Sequence, residues 1–178
     1  MTPTIKCSGV DIDKKAARIP SLVTNLANAD STVRTKARKA LVAIGKSAVP
    51  SLIQLLSNRK QHVRWEAAKA LCSIADPIAA SALVKALNDR DGDVRWLAAS
   101  GLAALGRDSL QPLLAALLEH SPRSSFCEGA HHVCRTLVKK KRLSPILRPV
   151  LAALEEPEPE VAAPPAAYAA LSKLRALA

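Results

Sequence analysis

Hydrophobic and polar positions recur along this chain in two alternating series. The first reads IPSLVTNL, VPSLIQLL, ASALVKAL and QPLLAALL, and its Leu22, Leu52, Leu83 and Leu113 are spaced 30, 31 and 30 residues apart. The second reads STVRTKARKALVAIG, HVRWEAAKALCSIA and DVRWLAASGLAALG, with Val33, Val63 and Val94 spaced 30 and 31 apart. Counting that Val as position 0, the apolar residues of each second segment fall at positions 0, 4, 7, 8 and 11. At about 100° per residue these share one arc, which predicts an amphipathic helix. Polar turns (Asn28–Asp30, Ser57–Lys60, Asn88–Asp93 and Glu119–Ser124) separate the two helices of a unit. Gly45, Asp76-Pro77 and Gly106 stop helices between units. A fixed period of this length marks stacked supersecondary units.

The fourth second-series segment is FCEGAHHVCRTLV, with Phe126 in the Val place, Ala130 at position 4, Val133-Cys134 at 7 and 8, and Leu137 at 11. LSPILRPVLAAL and EVAAPPAAYAALSKLRAL supply a degenerate fifth pair, in which Pro164-Pro165 displaces the register and should shorten or kink the last helix. The expected architecture is all-α, a solenoid of about five antiparallel helical hairpins in one domain. Its approximate repeats are 14–45, 46–75, 76–106, 107–140 and 141–178, after a flexible tail at 1–13. Leu22, Val33, Leu41, Leu52, Val63, Leu71, Leu83, Val94, Leu102, Leu113 and Leu137 should be buried.

Composition adds limits. Of 178 residues 49% are hydrophobic but only 2% aromatic, so aliphatic residues and Ala must build the core. Four cysteines in a chain of this length suggest free thiols in a reducing compartment. No apolar run approaches the ~18 residues of a membrane span. The opening MTPTIKCSGVDIDKK also lacks a secretory apolar stretch, so a soluble cytoplasmic protein is expected. The net charge of +11 is uneven: residues 1–154 hold 24 basic and 11 acidic side chains, while Glu155, Glu156, Glu158 and Glu160 are the only acids beyond them. Such an excess suits an anionic partner, and it also suits simple solubility.

The pattern Asp-x-x-Val-Arg-x-x-Ala-x-x-Ala-Leu-x-x-Ile-Gly, seen in DSTVRTKARKALVAIG, resembles HEAT repeats, in particular the short HEAT-like type associated with phycobilisome lyases. The resemblance covers nearly the whole chain and is strongest over residues 20–118. It implies a right-handed superhelix with the second helices lining a concave face, and mainly protein-binding scaffolds, with bilin-attachment lyase subunits and some nucleic-acid enzymes among the relatives. It also implies that Arg34, Arg64 and Arg95 pair structurally with acids such as Asp30, Asp91 and Asp93.

Positions 2, 5, 6 and 9 lie opposite the core arc. They carry Thr35, Arg38, Lys39 and Val42; then Trp65, Ala68, Lys69 and Cys72; then Trp96, Ala99, Ser100 and Ala103; then Glu128, His131, His132 and Arg135. Both tryptophans of the chain thus share one outward register, with small Ala68, Ala99, Ser100 and Ala103 leaving room and cations around them. The partner-binding residues assigned on this basis are Trp65, Trp96, Arg38, Lys39, Lys69, Ser100, His132 and Arg135, because Trp and Arg dominate binding hot spots. The bland alternative is that each indole covers inter-repeat surface.

Cys127, His131 and Cys134 form a stripe with zinc-compatible chemistry. Cys134, however, falls at core position 8 and no fourth ligand accompanies the three, so no metal site is assigned. Cys127–His131 and Glu128–His132 lack a third orienting group, so no catalytic residue is assigned, and no cofactor is implied. Lys139–Arg142 is a basic run near a helix C-terminus, where cations are favoured anyway, and the acidic Glu155–Glu160 stretch separates two helices. The expected function is a non-enzymatic scaffold recognising a macromolecule on a basic face, with a protein as the leading partner. Nucleic acid is the alternative, by fold resemblance to the alkylpurine DNA glycosylases, although no Asp lies on the inferred face. A bilin lyase or chaperone-like subunit is the third. No membrane partner is expected, and the pattern leaves the oligomeric state open.

Overall fold

The computed structural model describes residues 16–118 and 124–176. The expected tail at 1–13 lies outside them. Five helical hairpins follow one another: α1 (Ile19–Asn25) with α2 (Ser31–Ile44), α3 (Val49–Leu55) with α4 (Gln61–Ile74), α5 (Ala80–Ala86) with α6 (Gly92–Leu105), α7 (Leu110–Leu118) with α8 (Ser124–Leu137), and α9 (Ser144–Leu154) with α10 (Pro159–Ala176). No strand occurs among the described residues. Helices α2, α4, α6 and α8 pack side by side in one layer, and the shorter first helices form the other.

Each early turn is built by the same chemistry. Oδ1 of Asn28, Asn58 and Asp89 accepts a hydrogen bond from the backbone N–H two residues on, each at 2.9 Å. Six residues beyond, Arg34, Arg64 and Arg95 each donate from Nη1 to the carbonyl of that same residue, at 2.9, 3.0 and 2.9 Å. The side chain closes the turn from one end and the guanidinium clamps it from the other, so the backbone polar groups of the bend are satisfied. Asp30 and Asp91 then cap α2 and α6 by accepting from Thr32 N and Val94 N. The arginines are therefore structural: Arg34 pairs with Glu66 and Arg64 with Asp89, Asp91 adds to the field at Arg64, and Arg95 bonds the Asp89 carbonyl. Asp30 and Asp91 are occupied as caps, and Asp93 stands exposed in the first turn of α6.

Leu41, Leu52, Leu71, Leu83, Leu102, Leu113 and Leu137 are fully buried in one continuous core, with Val63 and Val94 beside them and Leu22 at its edge. Val33 is only half-buried, unlike its equivalents, because α2 has no preceding second-layer helix among the described residues. In α8, Phe126, Ala130, Val133, Cys134 and Leu137 are all buried at the predicted positions.

The fifth hairpin departs from expectation in two ways. Helix α10 runs unbroken through Pro164 and Pro165, and its buried residues Ala163, Ala167, Ala170, Leu171 and Leu174 repeat the 0, 4, 7, 8, 11 spacing. The prolines sit outside that buried stripe, so packing holds the helix across the hydrogen bonds they forgo. The second departure is the layer. Helix α9 packs on α8, whereas α10 packs on α7, so α10 does not extend the second layer as a fifth second-helix would. A stripe of three alanines on α10 permits that close lateral approach.

Helix ends between repeats show where the chain is strained. Gly45 and Gly106 stop α2 and α6 at φ 77° and 67° with ψ −136° and −126°, a region essentially closed to residues with a Cβ. The equivalent of α4 is Ala75, which takes the left-handed conformation at φ 51°, ψ 45°. An L-residue there costs about 1–2 kcal/mol. Ala75→Gly should therefore raise stability by about 0.5–1 kcal/mol after the entropy of the added glycine is subtracted, readable as a higher urea midpoint with unchanged slope. In the same measurement Leu102→Ala should cost about 2–5 kcal/mol through the cavity it leaves.

Candidate binding face of the second-helix layer

The outward positions of α2, α4, α6 and α8 do not form one uniform face. Position 5 faces the following helix: Ala68 and Ala99 are buried there, and Arg38 is half-buried. Ala68 therefore lets adjacent helices approach instead of leaving room around Trp65, whereas Ala99 also lines a hollow beside Trp96. Only positions 2, 6 and 9 remain for a partner.

Between α2 and α4 the seam is ionic. Glu66, at position 3 of α4, is buried and forms ion pairs with Arg38 and, at 3.5 Å, with Arg34. The Arg38 guanidinium also lies 5.4 Å from the Trp65 ring centroid, within cation–π range. Arg38 is thus fastened inside the protein and is not a free contact for a partner. Trp65, under it, is half-buried and packs against the core. Glu66 is a residue that the hydrophobic pattern alone does not single out. Its signal is a lone acid one repeat beyond two arginines at positions 1 and 5.

The next seam replaces this cluster with Ala68 and Leu97, both buried, and joins the repeats through Arg64. Arg64 Nε and Nη2 reach the two carboxylate oxygens of Asp89 at 2.7 and 2.9 Å, a bidentate pair that raises the guanidinium pKa further.

Trp96 has no such cover. The residue of α4 matching Arg38 is Ala68, too short to lie across an indole, and Trp96 is 59% exposed. It leans instead on His132 of α8, with ring centroids 4.4 Å apart at 56°. Position 3 of α8 is Gly129, where a Cβ would meet Leu87 Cδ2 at 2.8 Å and push that buried side chain aside. With Gly92, Ala99 and Ser125 equally small, a hollow of about 250 Å³ opens beneath Trp96 and His132, with Arg95 and Glu128 also lining it. The indole, the imidazole, a guanidinium and a carboxylate converge on one concavity, which suits the anchoring of an inserted side chain.

Of the remaining predicted residues, Lys39, Lys69 and Arg135 are exposed and form no ion pair among the described residues, while Ser100 is half-buried. The Cys127–His131–Cys134 stripe is divided. Cys127 and Cys134 are in the core, burial pushing the Cys134 thiol up to about 12, and His131 Nε2 lies 3.3 Å from Glu155 at the end of α9. Within the basic run, Lys140 Nζ would stand 3.0 Å from a Cβ on Gly106, so this cation sits at the C-terminus of α6. No group of three or more potential metal ligands converges among the described residues. No helix among them is long and apolar enough to cross a membrane.

Residues 19–103 match the family model described as HEAT repeats. These residues are HEAT repeats. The HEAT match spans α1 to most of α6, and the same hairpin geometry continues beyond it. Among solved structures, the complex of CpcE and CpcF of phycocyanin lyase from Nostoc sp. PCC7120 aligns at 25% identity over 84% of this chain and 98% of that chain, with a TM-score of 0.58. Two engineered proteins align at 22% and 21% identity over 93% of this chain and 88% and 90% of theirs, with TM-scores of 0.45 and 0.44. No curated protein matches in sequence.

The histidine against Trp96 gives a pH signature. Burial lowers the His132 pKa below the usual 6.5, and His131 and Arg135 nearby lower it further. A histidine with a depressed folded pKa takes up its proton more readily when unfolded. Its neutral form therefore favours the fold above pH 6.5, and that contribution disappears as pH falls toward the folded pKa. The His132 ring should titrate below 6.5 by NMR, and His132→Gln should flatten the loss of stability in that window.

Proposed function

We propose that this HEAT-repeat chain is a non-enzymatic scaffold that recognises a protein partner on its second-helix layer, with Trp96 as the central anchor. The observation that carries this is the exposed indole over a preformed hollow between α6 and α8. Lys39, Lys69 and Arg135 flank the same layer and favour a partner segment with acidic residues. Ser100 and His132 border the anchor, while Trp65 and Arg38 support the neighbouring seam. A repeat stack with a long exposed face suits recognition of another macromolecule.

A second reading draws on the phycocyanin lyase likeness. That structure is a complex of two different chains, so by analogy this chain would be one subunit of a two-chain lyase. Formation of a coloured tetrapyrrole adduct, only when a second HEAT-like subunit is added, would favour that reading over the plain scaffold.

The scaffold reading is tested by capturing partners from native extract on wild-type, Trp96→Ala and Trp65→Ala protein, with and without nuclease. Trp96→Ala should weaken the captured protein by about 2 kcal/mol or more, roughly thirtyfold, without lowering the unfolding midpoint appreciably. Trp65→Ala should instead lower stability. A ligand lost to nuclease, with affinity falling steeply in salt and a slope reduced by about one in Lys69→Ala, would mean nucleic acid. Unchanged capture by Trp96→Ala would overturn the anchor.

A further inference from the structure

The two ends of the repeat stack carry uncovered apolar surface beside side chains of opposite charge, Lys36 at one end and Glu156 and Glu158 at the other. At the first hairpin, positions that inner repeats bury lie open among the described residues. Val33 is half-buried where Val63 and Val94 are sealed, and Ala40 is half-buried where Ala70 is sealed. Lys36 is exposed where Glu66 and Leu97 are buried. All three residues lie on the side of α2 that a preceding helix would cover. Residues 16–44 hold five cations against one carboxylate.

At the other end, α10 turns its packed stripe toward α7 and α9 and leaves Val161 and Tyr168 65% and 67% exposed. A groove of about 680 Å³ runs between α9 and α10, floored by Ala152, Ala153, Val161 and Ala162, with Glu156 and Glu158 at its rim. A helical-repeat stack normally ends in a polar face. Here the end also leaves Val161 and Tyr168 uncovered, with Glu156 and Glu158 beside Val161.

We propose that the fifth hairpin of one molecule receives the first hairpin of a second copy, head to tail. The apolar strip around Val33 and Ala40 would lie on Val161 and the alanine floor, with Lys36 against Glu156 and Glu158. The charge signs select this occupant over a second fifth hairpin, which would bring two acidic rims together. Two different surfaces meet, so the contact is heterologous and propagates into open chains or rings instead of stopping at a symmetric dimer.

Sedimentation of the full chain over a concentration series tests this. Wild-type mass should rise with concentration from the 18.8 kDa monomer past the dimer, and the rise should weaken with salt. Lys36→Glu blocks the receiving contact at one end and Val161→Glu at the other. Both substitutions are at exposed positions, and circular dichroism should confirm an unchanged fold. Each variant alone should remain a monomer. Mixed in equal amounts, they should form a dimer and nothing larger, since each retains one intact end. A second C-terminal variant, Tyr168→Glu, should behave as Val161→Glu does. A wild-type chain that stays monomeric at every concentration overturns the proposal. So does a dimer that never grows, or a pair of monomeric variants that fails to associate on mixing.

Discussion

A second-layer helix in this fold is contacted from three sides, and that crowding decides what the protein can present to anything else. Its hairpin mate takes positions 4, 8 and 11 and shares 0 and 7 with the preceding helix. The preceding helix also meets position 3, and the following helix meets positions 1 and 5. A partner is left with positions 2, 6 and 9, a stripe about one side chain wide on each helix. The constraint explains why Arg38 and Ala68, outward on a helical wheel, are unavailable, and why Glu66 is buried although it belongs to no hydrophobic pattern. What such a stack exposes depends on what the seams leave unfilled.

The three seams are filled differently. Between α2 and α4 the space holds two guanidiniums and a carboxylate; between α4 and α6 it holds Ala68 and Leu97 beside the Arg64–Asp89 pair; between α6 and α8 small residues leave it open. Trp65 and Trp96 occupy the same position in consecutive repeats, yet one is roofed by Arg38 and the other stands over a hollow. The identical Val-Arg-Trp triplets therefore sit in different surroundings, and the neighbour, not the triplet, sets each one. Under the proposed function Trp65 covers surface between repeats and Trp96 is the anchor.

The hairpins were legible because each rests on local signals: a hydrophobic period, a stop residue and a polar turn, all within about thirty residues. The buried leucines followed from the same arc. What the pattern did not reveal depends on pairs of residues about one repeat apart. Glu66 with Arg34 and Arg38 is one case, and Asp89 as the ion-pair partner of Arg64 is another. The hollow beside Trp96 was hidden for a related reason, since Gly129 and Ser125 are inconspicuous until α6 lies against them. The two prolines of α10 argued for a broken helix on local grounds, and the buried stripe Ala163, Ala167, Ala170, Leu171 and Leu174 outweighs them.

The exchange of layers in the fifth hairpin bears on the whole stack. Had α10 continued the second layer, its own positions 2 and 6 would have lengthened the binding face beyond α8. By turning α10 onto α7, the chain ends that face at Glu128, His132 and Arg135. His131, at the seam position of α8, then meets Glu155 from the end of α9 instead of a fifth second-layer helix. The face is bounded at its far end by a hairpin whose second helix joins the other layer, and the acids of that hairpin are gathered at its turn. Charge thus divides along the stack because of topology as well as composition. The second-layer helices carry the cations Lys39, Lys69 and Arg135 outward, whereas Glu155, Glu156, Glu158 and Glu160 cluster at the turn of the last hairpin, away in sequence from its cations Arg148, Lys173 and Arg175. A repeat protein gains length by adding like units. This chain closes one surface and opens another by setting its last unit differently.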